Sequence, residues 1–173
     1  MLEIAPAVAA AIILVWTYSR FCMSNLAYWL ILAFAIIIMI GGHWTYAQVP
    51  LFNYLRDTFG LSRNYYDRVG HIMQGFVPAI LAREVLLRTS PLKPGKWLFF
   101  IVVCICLAIS AMYEFFEWGA AVTLGQQSDQ FLATQGDQWD TQWDMFLAFG
   151  GAIVSQLLLS RMHDRSMARL AAQ

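Results

Sequence analysis

Apolar residues gather in five runs separated by short polar stretches, at about residues 4–19, 26–46, 67–87, 97–124 and 141–160. A membrane-spanning helix needs about 20 mainly apolar residues. In lipid an isolated strand would leave its backbone groups unpaired, so each run is predicted to be a helix. The third run is the least apolar. Only 69–82 is free of charge there, and Gly70, Gly75 and Pro78 interrupt it. By itself it reads equally well as a re-entrant segment.

Flanking charge decides in favour of a span. Arg88, Lys93 and Lys96 lie between the third and fourth runs, and Arg161, Arg165 and Arg169 follow the fifth. Excess Lys and Arg marks the cytoplasmic side. Two spans between these groups satisfy that rule. A hairpin of the first two runs, with Arg20 in its inner turn, then requires the third to cross. The predicted fold is one all-α integral-membrane domain over residues 1–173, a small bundle of about five transmembrane helices. The N-terminus is expected outside and the C-terminus inside. The loop at about 125–140 is then external and carries no Lys or Arg. The connection at 47–66, with Arg56 and Arg63, is a mild exception.

Composition supports lipid as the solvent. Hydrophobic residues are 60% and charged residues 13% of the chain, against roughly 45–50% and about 25% in soluble domains. So few charges cannot form the shell a soluble protein of this size needs. The 11 basic and 11 acidic residues cancel, which argues against nucleic acid as a partner. Disorder is excluded by the abundance of apolar residues. Cys22, Cys104 and Cys106 sit in apolar runs without metal-type spacing and read as small apolar residues. The N-terminus lacks the basic region of a cleavable signal peptide. There is no phosphate-binding glycine loop and no inverted repeat of the kind found in secondary transporters.

With the topology set, the polar residues converge. His43 lies near the outer end of the second run, and Asp67 and His71 at the outer start of the third. Glu114 and Glu117 lie in the outer half of the fourth run, and Asp137, Asp140 and Asp144 at the outer start of the fifth. Asp67/His71 and Asp140/Asp144 are spaced i,i+4 and Glu114/Glu117 i,i+3, so each pair shares a helix face. Glu114 falls roughly 12–15 Å below the outer end at 1.5 Å per residue. A bare carboxylate at that depth costs at least a few kcal/mol, so a proton, an arginine or a metal must offset it.

A divalent metal is the favoured answer. Carboxylate and imidazole ligands from facing helices suit Zn²⁺, Mn²⁺ or Fe, and the number of carboxylates permits two ions. A metal site could generate a nucleophile from water beside a carboxylate base. The spacing itself is unspecific, since neither HExxH nor paired Glu-x-x-His occurs. Two plainer readings stand beside it. The carboxylates form a protonated, hydrogen-bonded network with nearby Tyr and Trp, with Asp67 paired to Arg63 or Arg56. Alternatively, Asp137 and Asp140 are solvated loop and N-cap residues, and Asp129 is exposed.

Elsewhere, Arg83 and Glu84 are adjacent and read as interfacial, and His163 as a surface residue. Trp139 and Trp143 belong to an aromatic belt or stack on a sugar or lipid head group. Gly150, Gly151 and Ala152 permit close helix approach. Arg161, Arg165 and Arg169 repeat at i,i+4 and suit an interfacial helix on anionic lipid.

Four motifs occur in order: Gly-Gly-His-Trp-Thr-Tyr at 41–46, Tyr-Asp-Arg-Val-Gly-His-Ile-Met-Gln-Gly-Phe at 66–76, Tyr-Glu-Phe-Phe-Glu-Trp at 113–118 and Gln-Gly-Asp-Gln-Trp-Asp-Thr-Gln-Trp-Asp-Met at 135–145. They resemble the bacterial YjdF-type inner-membrane proteins, a domain-of-unknown-function family, over about residues 25–160. Asp67, His71, Glu114 and Asp144, the last ahead of the small residues at 147–151, are more distantly similar to the pattern of VanZ-like membrane proteins, which implies a role in the cell envelope.

The expectation is a metal-dependent membrane hydrolase or transferase at the outer face of the bacterial inner membrane. Its partners would be membrane lipid and a lipid-linked envelope substrate. The candidate metal ligands are His43, His71, Glu114, Asp137, Asp140 and Asp144. Asp67 and Glu117 are the candidate catalytic residues, Asp67 orienting an imidazole or acting as base. Arg63 or Arg68 would hold a phosphate. The alternatives are a proton- or ion-coupled transporter and a non-enzymatic membrane subunit. The few polar residues expected toward the inner face, Ser110, Ser155 and Gln156, count against transport.

Overall fold

The computed structural model describes residues 5–124 and 135–172. Within them the chain forms six helices and no strand. They are α1 (Ala5–Thr17), α2 (Asn25–Trp44), α3 (Pro50–Phe59), α4 (Tyr66–Thr89), α5 (Lys96–Leu124) and α6 (Asp140–Ala171). Asp129 lies outside the described residues.

Five of these helices match the five apolar runs. The sixth, α3, lies in the connection at 47–66, where the apolar runs predict no element. Its punctuation is readable in the sequence: Pro50 stands in its first turn and Gly60, with φ of 62°, closes it. At the other extreme, α6 continues past the predicted end at 160 to Ala171. Hydropathy marks where lipid ends, whereas the helix ends only where its hydrogen bonding stops. Arg161, Arg165 and Arg169 therefore extend the same helix, and all three are exposed.

The expected count of five spans is not matched. Three helices are long and apolar enough to cross a membrane: α2, α5 and α6. With 13 residues, α1 is about 20 Å long at 1.5 Å per residue, short of the roughly 30 Å hydrocarbon core. The 24 residues of α4 would reach about 36 Å, but the helix carries Asp67, Arg68, Arg83, Glu84 and Arg88. All of these except Arg88 are buried inside the bundle. Hydropathy counts the charges of α4, while packing removes them from its surface.

The central feature is the pairing of α4 with α6. The two run parallel, with Arg68 against Asp144 near one end and Glu84 against His163 near the other. Between these points the backbones come into direct contact. A Cβ on Gly75 would collide with the carbonyl of Ala148, and one on Gly151 with the carbonyl of Ile72. Small residues at such crossings let helices gain dispersion contacts that lipid cannot supply better. Gly150 faces open space and has no such role. Ala79, Leu98, Val102, Cys106 and Ala152 form the apolar core where α4, α5 and α6 meet.

A polar network closes the end of the bundle opposite the aspartates, which corrects the expectation of interfacial Arg83 and Glu84 and a surface His163. Glu84 and His163 are fully buried. Glu84 accepts from the backbone N–H of Ser24 at 2.8 Å and from Arg88 at 2.7 Å, and its other oxygen meets His163 Nε2 at 3.0 Å. Arg83 reaches His163 Nδ1 at 2.9 Å and Asp164 at 2.7 Å. Arg88 also donates to the Cys22 carbonyl at 2.7 Å and lies 3.8 Å over the Phe21 ring. These contacts tie the α1–α2 linker and the start of α2 to α4 and α6.

Candidate functional site

At the other end, α4 and α6 start side by side because their first turns are held together by charge. Arg63 and Arg68 are both buried. Arg63 Nη1 meets Asp140 Oδ1 at 2.6 Å, and Arg63 also lies 3.6 Å from Asp137 and 3.8 Å from Asp67. Arg68 bonds Asp144, meets Asp140 Oδ1 at 2.8 Å and Asp137 Oδ2 at 3.0 Å, and donates to the Asp140 carbonyl at 3.3 Å. Both arginines, expected as phosphate holders, are thus engaged by aspartates. Charge-assisted pairs of this kind offset the cost of burying carboxylates.

The approach to this cluster is fixed by Asn64, which is fully buried. Its side-chain amide donates to the Val49 carbonyl at 3.1 Å and to Asn53 at 2.9 Å, and its oxygen accepts from the Tyr66 N–H at 3.0 Å. Gln135 exchanges two further hydrogen bonds with the Asn64 backbone, at 3.1 and 2.9 Å. These bonds join the α3–α4 turn to the segment before α6. Asp137 accepts from the Trp139 N–H at 2.9 Å, so it caps the entry to α6 as well as pairing with both arginines. Asp140 is buried, which overturns the plain reading of it as a solvated cap.

Three predicted residues converge most closely. His71 Nε2 lies 3.4 Å from Asp67 Oδ1 and 3.6 Å from Asp144 Oδ2. Ligand atoms of Asp67, His71 and Asp144 all fall within 4.8 Å of one another, and all three residues are buried. Asp67 Oδ2 and His71 Nδ1 have no hydrogen-bond partner, although buried polar atoms are normally satisfied. Glu114 is buried within electrostatic reach of His71, Asp67 and Asp140, and its Oε1 is also unpartnered. Glu117 is half-buried. His43 is not brought into this group. It sits exposed at the end of α2, its ring edge-on to Trp44. His43 follows buried Gly41 by two residues on α2, about 200° around the helix, so it points away from the buried side.

A cavity of about 660 Å³ opens beside the cluster. Its walls are apolar side chains of α1, α2, α4 and α5, including Leu14, Ile31, Val77 and Ile105. At one end these give way to Asp67, His71, Glu117, Tyr46 and Tyr113. Tyr113 stands edge-on to the His71 ring, with centroids 6.1 Å apart. The cavity has the size of a small-ligand site, and it is apolar along most of its length with ionisable groups at one end.

Sequence reasoning offered the Arg63–Asp67 pair, which the structure contains, but missed Arg68 as a partner of the aspartates and the Glu84–His163 network altogether. Partial signals existed. Arg63/Asp67 and Glu84/Arg88 are spaced i,i+4 and pair in the structure. No sequence signal joins Arg68 to Asp144 or Glu84 to His163, because those contacts depend on the α4–α6 register.

Comparison with known proteins agrees with the helical membrane architecture. The family described as "Predicted membrane protein (DUF2238)" matches residues 1–165. The chain belongs to the DUF2238 family. Among its relatives is the Inner membrane protein YjdF of Escherichia coli (strain K12), 47% identical over 169 residues. That match covers 98% of this chain and 81% of the relative. No solved structure matches the chain. This DUF2238 protein is accordingly a multi-pass protein of the bacterial inner membrane. The matches bear out the YjdF-type resemblance and do not show the VanZ-like one.

Proposed function

We propose that this DUF2238 protein is a membrane enzyme that draws an amphiphile from the bilayer into the α1–α2–α4–α5 cavity and works on its polar head at Asp67, His71 and Glu117. One observation carries the reading: the cavity is apolar along its length and ends on these three ionisable residues. A lipid tail matches the walls, and a head group matches the end. Lateral entry from the bilayer brings a lipid or lipid-linked substrate to the site along the apolar walls of the cavity.

A divalent ion, Zn²⁺, Mn²⁺ or Fe²⁺, is proposed at Asp67, His71 and Asp144. Their convergence favours it, and so does Asp67 Oδ2, a buried oxygen that accepts no hydrogen bond. Two carboxylates and an imidazole are a suitable donor set, and three protein ligands leave a position open for chemistry. Charge favours it too. Asp67, Asp137, Asp140 and Asp144 face only two guanidiniums, so four negative charges against two positive leave a formal −2 before Glu114 and Glu117 are added. When bound, such an ion acts as a Lewis acid and supplies a nucleophile from water near neutral pH. Glu117, on the cavity wall, is placed to exchange a proton with the substrate. Arg68 is a positioning residue that holds Asp144.

The transport alternative is disfavoured by the middle of the α4–α6 pair. The two polar ends are separated by buried Val77, Ala79, Ile80, Ala148 and Ala152, with Ser110, Ser155 and Gln156 as the buried polar residues of that layer, and the Gln156 amide is held by the Phe99 and Ala152 carbonyls. In this proposal α4 spans the membrane with its charges turned inward, and the N-out, C-in orientation puts the aspartate cluster at the outer leaflet.

The test is elemental mass spectrometry of the purified full chain beside His71→Ala and Asp144→Asn, with lipid analysis of each sample. About one ion per chain, lost in both variants, together with a copurifying lipid lost in Ala35→Trp, supports the proposal. Folded protein that takes up no Zn²⁺, Mn²⁺ or Fe²⁺ on reconstitution removes the metal from it. Copurifying lipid unchanged by Ala35→Trp removes the cavity.

A further inference from the structure

The ionisable end of the cavity presents carboxylates, an imidazole and phenols to an incoming head group, and no guanidinium or ammonium lines it. The two nearest cations, Arg63 and Arg68, are buried and committed to Asp137, Asp140 and Asp144. An anionic head entering by itself would therefore meet the carboxyl groups of Asp67 and Glu117, with Arg63 no closer to Asp67 than 3.8 Å and already held by Asp140. An ion held by Asp67, His71 and Asp144 reverses this sign. Bound cations are often the largest local charges in a site. Asp67 and His71 belong both to the ion-binding group and to the cavity wall, so the ion and the head group occupy neighbouring positions.

Resting on the metal reading above, we infer that the ligand is one long-chain amphiphile with an anionic oxygen head, phosphate or carboxylate, and that the head group and the divalent ion at Asp67, His71 and Asp144 bind cooperatively. Three structural observations meet here. The cavity volume suits one ligand rather than a lipid cluster. Asp67 Oδ2 and His71 Nδ1 are buried polar atoms without hydrogen-bond partners at its ionisable end. Both nearby arginines are already engaged. Thermodynamic linkage makes the effect reciprocal: the factor by which the ion tightens the amphiphile is the factor by which the amphiphile tightens the ion.

The experiment uses the full chain in phosphatidylcholine nanodiscs. Binding of dodecyl phosphate, laurate and dodecylamine is measured with Mn²⁺ or with a chelator, and Mn²⁺ binding is measured with and without dodecyl phosphate. The expected result is at least a tenfold gain in dodecyl phosphate affinity with Mn²⁺, and the same factor for Mn²⁺ with dodecyl phosphate. A matching gain for laurate assigns the site to anionic oxygen generally, and its absence assigns it to phosphate. Ala35→Trp and Ala108→Trp fill the cavity from α2 and α5. Each is expected to abolish amphiphile binding while Mn²⁺ still binds, and either one, if folded, suffices. Mn²⁺ binding that leaves dodecyl phosphate affinity unchanged overturns the inference and keeps the metal reading. Dodecylamine binding in chelator, with no phosphate binding in Mn²⁺, overturns it in favour of a cationic head. No uptake of Mn²⁺ or Zn²⁺ overturns the metal reading and this inference together.

Discussion

Glu84 and His163 meet at 3.0 Å in the interior, 79 residues apart in sequence, and both are fully buried. The other side of the imidazole fixes how they bond. Arg83 lies 2.9 Å from His163 Nδ1, and a guanidinium has only donors. Nδ1 must therefore accept, Nε2 must carry the hydrogen, and that hydrogen is donated to Glu84. The arrangement satisfies both ring nitrogens of a neutral histidine and leaves no open site, so its role is to fix the α4–α6 register and anchor the α1–α2 linker.

Glu84→Ala is expected to destabilise the protein strongly, by about 3 kcal/mol, because it leaves buried His163 and the Ser24 N–H without their acceptor and Arg88 without its carboxylate. Thermal unfolding in detergent checks this. Half-buried Arg56 and exposed Asp57, paired at 2.8 Å at the surface, are the control, since breaking a surface pair costs about 0–1 kcal/mol.

Gly75→Ala and Gly151→Ala are each expected to lower stability by roughly 1–3 kcal/mol, the range for overpacking a close contact. Their added methyl groups would meet the Ala148 and Ile72 carbonyls. Gly150→Ala, which faces open space on the same helix, is expected to be neutral or slightly stabilising, since alanine is the better helix former. Equal effects at Gly150 and Gly151 would contradict the observed contact face.

Arg68 and Asp144 are expected to be energetically coupled. Arg68→Ala leaves buried aspartates without a partner. Arg68→Ala with Asp144→Asn removes part of that uncompensated charge, so the double variant should be more stable than the sum of the single losses. A double-mutant cycle by thermal unfolding should give a coupling of about 1–3 kcal/mol. Additivity would show that the pair does not hold the two helix starts together.

His43→Ala is expected to leave both metal content and stability unchanged within about 0.5 kcal/mol, as for exposed sites in general. His71→Ala should lose the ion. Elemental mass spectrometry of the two variants separates them, and loss of metal on removing His43 would mean that the exposed end of α2 closes onto the cluster.

Much of the architecture was legible in the chain. Apolar runs located five of the six described helices, four of them within a few residues at both ends, and i,i+4 spacing put Asp67 with His71 and Asp140 with Asp144 on shared faces. The short α3 was legible from Pro50 and Gly60 but was masked by the polar character of its surroundings. The end of α6 was misplaced because apolarity stops before the helix does. His43 was misassigned because proximity to a helix end says nothing about the direction its side chain takes.

By itself the sequence determined the solvent of this protein, its helical class and the residue types at its polar end, because these follow from hydropathy and helical period, which are local properties. Only the tertiary structure decided which charges are neutralised. The parallel packing of α4 on α6 commits Arg63 and Arg68 to aspartates, buries Glu84 with His163 and brings Asp67, His71 and Asp144 to the end of an apolar cavity. The reason is geometric. Those long-range contacts join residues 69 to 79 positions apart in sequence, and their register is set by backbone contacts at Gly75 and Gly151 that no local pattern encodes.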